Sequence, residues 1–171
     1  MRRVLHIFSE FTDADIAFIA SAGRAQDLAA ETVLIEPGTP LEAVHIVLSG
    51  ALRVEVDDVV IRPLYVGEVV GELSYLDRRP PSARVVVSEP SRLLAIPRSA
   101  LDAKIAEDSG FAARLYKSLG MFLAMRLRDV RGTLAYGDVE YEPDELDLDE
   151  LDGADKAARQ FAWIIEQFGG G

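Results

Sequence analysis

Hydrophobic and polar positions change their period twice along this chain. Ile16, Ile19 and Ala20 share one face, which predicts a helix over roughly 13–22. Thr12, answered three residues later by Asp15, reads as its N-cap, and Gly23 as its stop. From Ala30 the apolar positions alternate or run in short blocks. Thr32–Ile35, Ala43–Leu48, Ala51–Val56, Val59–Arg62, Val85–Val87 and Arg92–Ile96 therefore read as strands. Glu36-Pro37-Gly38, Ser49-Gly50 and Pro97 punctuate them, and Asp57-Asp58 reads as a tight hairpin turn. The helical period then returns. Ser99 opens a helix carrying Leu101 and Ile105, and a longer one covers about 111–134. Its stripe is Leu115, Leu119, Leu123, Leu127, Val130 and Leu134, with Phe122 alongside. The Arg126–Arg131 cluster reads as a solvated face. Finally, Ala157, Phe161, Ile164, Ile165 and Phe168 recur at helical spacing within 154–168.

This order predicts an α+β fold, mainly β: a double-stranded β-helix or jelly-roll β-roll flanked by an N-terminal helix and a long C-terminal helix. Residues 1–134 form the expected main domain. Residues 135–171 form an acidic linker plus a short amphipathic helix. That helix, with Trp163, is poor material for a disordered tail. It reads as docking on its own domain, on a dimer mate or on another protein.

Composition removes several kinds of chemistry. A chain of 171 residues with 49% apolar and 27% charged positions suits a soluble protein with a substantial core. Without cysteines there are no disulfides and no thiolate ligands or nucleophiles. Two histidines, His6 and His45, do not make a histidine-rich metal centre, so no metal is expected; His45, inside an apolar strand, reads as a core or edge residue. No apolar run reaches the roughly 20 residues of a membrane span. The N-terminal apolar run is too short for a secretory signal, so the expected location is the cytoplasm and no membrane partner is expected.

The net charge of −11 is unevenly placed. Eleven acidic and two basic residues lie from Asp138 onward, leaving 18 acidic and 16 basic before it. An acidic tail repels phosphate backbones, which argues against DNA as a partner. The many carboxylates are tied to no His, Lys or recognisable pocket, so the chain does not read as an enzyme.

Candidate chemistry concentrates in Val66–Val87. Gly71 opens one helical turn reaching about Leu76, followed by a basic-then-proline loop and an apolar strand. Free N–H groups at a helix start after a glycine make an anion site, and Ser82 adds a donor. Arg78-Arg79 reads as an exposed loop.

Glu36-Pro-Gly38, Ile46-Val-Leu-Ser-Gly50, Gly67-Glu68, Gly71-Glu-Leu-Ser74, Pro80-Pro-Ser-Ala83 and Leu93-Leu-Ala-Ile-Pro97 occur in this order. On these motifs the chain resembles the cyclic nucleotide-binding domain family over roughly 7–134. The resemblance implies a stand-alone, non-enzymatic sensor binding cAMP or cGMP and relaying the signal through its C-terminal helices. It implies a site at Gly71, Glu72, Leu73, Ser74, Ser82 and Ala83, to which Arg84 is added as a nearby candidate that matches no motif. Gly71 and Leu73 match positions whose backbone approaches the cyclic phosphate. Glu72 matches the carboxylate that accepts a hydrogen bond from the ribose hydroxyl. Ser82 and Ala83 match the small residues beside the phosphate.

The family's phosphate-binding arginine falls on Pro81, which has neither a charge nor an N–H. That loss is expected to weaken the ligand on the order of ten- to a thousandfold. Arg84 shares Ser82's strand face, whereas Arg79 reaches the site only if its loop folds back. If no phosphate binds, Glu72 needs another partner, with Arg84 the candidate. The alternative is a degenerate domain kept as an interaction or oligomerisation scaffold. The resemblance also implies a homodimer through helix 111–134, and the acidic tail is a candidate contact for a protein partner. Too few residues follow the closing helix for a winged helix-turn-helix.

Overall fold

The computed structural model describes residues 8–136 and 148–169, and the side chains among them except those of 128–136 and 148–152. The N-terminal residues with His6, most of the acidic linker, and the side chains of Val130 and Leu134 lie outside the described residues.

Helix α1 spans Asp13–Ala22 and starts on the predicted capping pair. The Asp15 backbone N–H donates to the Thr12 hydroxyl at 3.2 Å, and the Thr12 N–H donates back to the Asp15 carboxylate at 2.8 Å. Two backbone donors that the helix itself cannot satisfy are thus covered. Asp15 is buried and also takes a fork from Arg114, at 2.7 and 2.9 Å. Burial raises its pKa, but the bonds from Arg114 and Thr12 outweigh that and leave it below the usual value. Asp15→Ala removes a cap and strands a cation together. An expected loss of about 2–3 kcal/mol is measurable by urea denaturation. Its stabilising contribution is present above the ordinary carboxylate pKa and disappears as pH falls through the lowered folded value.

The sheet is built on two 14-residue strands, β3 (Ala43–Val56) and β6 (Arg84–Pro97), paired antiparallel. Strands β1 (Arg24–Leu28), β2 (Val33–Ile35), β4 (Val59–Leu64) and β5 (Val69–Val70) complete it. At one end β1 joins β6 and β5 joins β3; at the other, β2 joins β6 and β4 joins β3. The β3–β6 register shifts around Ser49–Ala51, where Gly50 takes a φ of +80°. A side chain at Gly50 would collide with Ser91 and the Pro90 carbonyl. The break expected at Ser49-Gly50 is therefore a bulge inside one strand, which bends the sheet without ending it. Likewise, the separate strands expected at Val85–Val87 and Arg92–Ile96 are parts of one. Strand β1 carries mostly exposed side chains and shows no apolar period by which it would be read. The hairpin at Asp57-Asp58 is present, both residues having left-handed φ values of 51° and 62°, as a two-residue turn requires.

Alternation divides the apolar positions between two clusters. Val47, Leu52, Leu64, Val70, Val85, Val87 and Leu93 pack inside the bent sheet. Val44, Ile46, Leu48, Val69, Leu94 and Ile96 face the helical layer with Phe8, Phe11, Ile16, Phe111, Leu115, Leu119 and Phe122. The architecture is the expected α+β roll. Short helix α2 (Glu72–Asp77) interrupts the strands, and α3 (Arg98–Glu107) and α4 (Ser109–Tyr136) close them.

Helix α5 (Leu148–Phe168) docks on the chain's own helical layer. Ala157, Phe161 and Ile164 enter that core, and Phe161 meets Phe8 at 5.8 Å between ring centres. Gln160 donates to the Phe11 carbonyl at 3.2 Å and to Asp13 at 3.0 Å. Arg92, forked onto Asp27, also donates to the Phe168 carbonyl at 2.7 Å.

His45 lies in β3 opposite Val70 and Ala95. It is buried, its Nδ1 has no hydrogen-bond partner among the described residues, and burial pushes its pKa down from 6.5 to about 4. The unfolded chain therefore binds a proton that the folded protein refuses. Stability present above pH 6.5 is expected to be lost as pH falls toward 4, at up to about 1.4 kcal/mol per unit. His45→Leu should flatten this part of the profile in urea titrations at pH 7, 6 and 5.

Candidate functional site

Gly71 joins β5 to α2 with a φ of +92°. A side chain there would suffer backbone strain and strike Leu41. Glycine brings no side-chain acceptor to the first turn of α2. The helix begins with the Tyr75 N–H donating to the Gly71 carbonyl at 3.0 Å. Glu72, Leu73 and Ser74 thus lie in one turn, as the sequence predicts, but with different surroundings. Leu73 is 57% exposed, whereas Glu72 and Ser74 are buried.

Glu72 is only 2% exposed and is paired with Arg126 of α4. Arg126 also donates to the Val69 carbonyl at 3.0 Å and reaches Glu68 at 3.5 Å. Glu68, itself buried, is paired with Arg62 of β4. Two carboxylates and two guanidinium groups therefore meet where α4 crosses the β5–α2 junction. Removing carboxylates from water disfavours ionisation, and nearby cations favour it. Burial prevails at Glu72: its pKa is raised, with Arg126 only partly offsetting the effect. The Arg126 guanidinium also stacks over Phe122, 4.1 Å from the ring centre, a cation–π contact.

Ser82 is exposed, Ala83 half-buried, and Arg84 begins β6. The Pro81 carbonyl accepts the Gly38 N–H at 2.8 Å, fastening this loop to the Glu36-Pro37-Gly38 turn. Arg84 donates to Glu36 at 3.2 Å and lies 3.6 Å from Asp58. The structure therefore corrects the Glu72–Arg84 expectation: Arg84 is held by carboxylates on neighbouring turns, while Glu72 turns to the closing helix. Arg126 likewise departs from the solvated-face expectation, its side chain being 17% exposed. Arg78 is exposed as expected, yet it is forked onto Asp102. Arg79 is an exposed loop residue.

Arg126, Arg62 and Glu68 are the functional candidates that the sequence reading missed. A signal was present: Glu68 and Glu72 flank the apolar pair Val69-Val70, so burying that pair carries two carboxylates inward and demands cations. Arg126 stands four residues after Phe122 and seven after Leu119, on the core-facing stripe of α4. Among the described residues, no group of His, Cys, Asp and Glu could hold a metal ion, and no helix is long and apolar enough to cross a membrane.

The bent roll, the glycine-led turn carrying a buried glutamate, and the helix closing over it coincide with a family match. Residues 25–108 match the model of the cyclic nucleotide-binding domain. This segment belongs to that family. A cyclic nucleotide-binding domain from Methylobacillus flagellatus is similar, with a TM-score of 0.71 and 22% identity, covering 82% of this chain and 86% of that one. The catabolite activator protein of Thermus thermophilus gives 0.62 at 20% identity, over 94% and 87% of the two chains. The regulatory domain of Toxoplasma gondii protein kinase A, solved with cAMP, gives 0.54 at 27% identity, over 59% and 41%. No curated protein matches the sequence. In this cyclic nucleotide-binding domain the buried Glu72 is tied to the closing helix by Arg126.

Proposed function

We propose that the protein is a non-enzymatic regulatory module whose β-roll takes a cyclic nucleotide, cAMP or cGMP, and relays its presence through α4. One observation carries this reading: Glu72, at the position that meets a ribose hydroxyl in this family, is bonded to Arg126 of the closing helix. A ligand hydroxyl reaching Glu72 competes with or joins that bond, so occupancy of the turn and the seat of α4 share one carboxylate. Gly71, Leu73, Ser74, Ser82 and Ala83 supply the rest of the proposed site, with Arg84 available if it leaves Glu36. Leu127, 59% exposed just beyond the seated part of α4, supports a dimer through that helix. The proposed setting is cytoplasmic, without DNA.

Thermal melting with millimolar cAMP or cGMP tests the reading. Ligand at a hundredfold excess over Kd adds about 2.7 kcal/mol of stability, so the melting temperature should rise for one nucleotide and not for Glu72→Ala. No shift with either nucleotide would sink it.

A second reading has its own support: Pro81 lacks the phosphate-binding charge, while Glu72 and Arg84 already have partners. On that reading the roll is a scaffold for assembly and responds to no nucleotide. Leu127→Glu would then dissociate the assembly in sedimentation experiments. An unchanged assembly with no nucleotide response would defeat this reading too.

A further inference from the structure

Helix α2 is fastened at both ends. Its first residue, Glu72, is bonded to α4, and its far end is bonded to α3. The Tyr75 hydroxyl donates to Asp102 Oδ1 at 3.1 Å. Arg78, immediately after the helix, forks onto the same carboxylate at 3.0 and 3.1 Å. Tyr75 is buried, and the guanidinium groups of Arg78 and Arg98 lie 5.8 and 5.6 Å from its ring centre. The Arg98 N–H in turn donates to the Glu42 carbonyl at 2.9 Å, fixing the start of α3 to the entry of β3. One carboxylate thus gathers a phenol and a guanidinium from the ligand turn. Such forked, charge-assisted bonds fix direction as well as distance.

The contact also holds an unfavourable backbone conformation. Arg78 has φ 61° and ψ 18°, a left-handed region disfavoured by residues bearing a Cβ. Here it ends α2 and brings the guanidinium to Asp102. Breaking the fork would leave Arg78 without that restraint, so the clasp can open as a unit.

We propose that Asp102 is a positioning residue for the ligand turn, holding Tyr75 and Arg78 so that α2 presents Glu72 to Arg126 and moves together with α3. The clasp stands on geometry alone; its bearing on nucleotide binding rests on the function proposed above. A shift of the Gly71 end on ligand entry would then pull α3 and α4 together, the two anchors being joined by a six-residue helix.

Hydrogen exchange on the full chain tests this without any ligand. In Asp102→Asn, amides of α2 from Tyr75 to Asp77 and of α4 around Arg126 should exchange about tenfold faster or more, with β3 and β6 unchanged. The charge-swapped pair, Arg78→Asp with Asp102→Arg, should bring α2 back to within about threefold of wild type, because the Tyr75 hydroxyl can accept as well as donate. A general loss of packing would not be rescued in this way. Unchanged exchange in α2, acceleration spread evenly over the sheet, or a swapped pair as fast as Asp102→Asn would overturn the proposal. Titration with cAMP and cGMP separates the two ideas. No binding by wild type ends the nucleotide reading and leaves the exchange result to decide the clasp, while binding by wild type should weaken in Asp102→Asn.

Discussion

Arg126→Met is expected to destabilise the protein by about 3–5 kcal/mol, the cost of removing one partner from a buried ion cluster. Methionine keeps much of the apolar stem but loses the guanidinium stacked over Phe122 and offers no donor. Glu68 and Glu72 would lose the guanidinium that both reach, and Glu72 would stay buried without its ion-pair partner from α4. The size follows from burial: the Glu68 and Glu72 side chains are 7% and 3% exposed. An exposed pair of the same geometry would contribute 1 kcal/mol or less. Urea midpoints give the value, and Glu72→Gln in the same chain should recover part of it by removing the unpaired charge.

The pH dependence of that variant has a definite sign. The Glu72 pKa is already raised in the folded protein by burial, and loss of Arg126 raises it further. A group whose folded pKa exceeds its unfolded one takes up its proton in the folded state first. The deficit of Arg126→Met should therefore be fully present above the folded Glu72 pKa and shrink as pH falls through it. A deficit that stayed constant as pH fell through the ordinary carboxylate range would place the loss in packing against Phe122 instead of in the unpaired carboxylate.

The roll was legible because its devices are local. The Thr12–Asp15 cap, the Asp57-Asp58 hairpin and the alternation through Val44–Leu48 each occupy a few adjacent residues. Gly71 is similarly explicit, since its left-handed turn strains any residue with a side chain, which would also have to displace Leu41. The site was less legible because its charges pair across long separations. Arg126 and Glu72 are 54 residues apart, and a guanidinium on an arginine-rich helix has the appearance of a solvated one. Arg84 illustrates the same limit on a strand. Strand parity put it beside Ser82, but parity is blind to Glu36 and Asp58 on adjoining turns. The docking of α5 falls between these cases. Its apolar face predicted a partner, whereas the choice of its own helical layer depended on Phe8 and on the Phe11 carbonyl, which only the fold brings within reach.

On the nucleotide reading proposed above, Pro81→Arg should strengthen cyclic nucleotide binding by about tenfold to a thousandfold, a net gain on the order of 1.5–4 kcal/mol from a charge-assisted contact. The backbone can accept the change. Among the described residues the Pro81 carbonyl accepts the Gly38 N–H, a bond that an arginine retains, and the flanking Pro80 and Ser82 are exposed. One competitor stands nearby: Glu36, which already holds Arg84, can capture a second guanidinium. The gain should therefore be larger in Pro81→Arg with Glu36→Gln than in Pro81→Arg alone. Isothermal titration with cAMP and cGMP measures both, with Glu72→Ala added to each as a control on the ribose contact. An arginine that leaves the affinity unchanged even without Glu36 would mean that residue 81 does not face a phosphate. The roll would then be a cyclic nucleotide-binding fold whose buried charges serve its own helices.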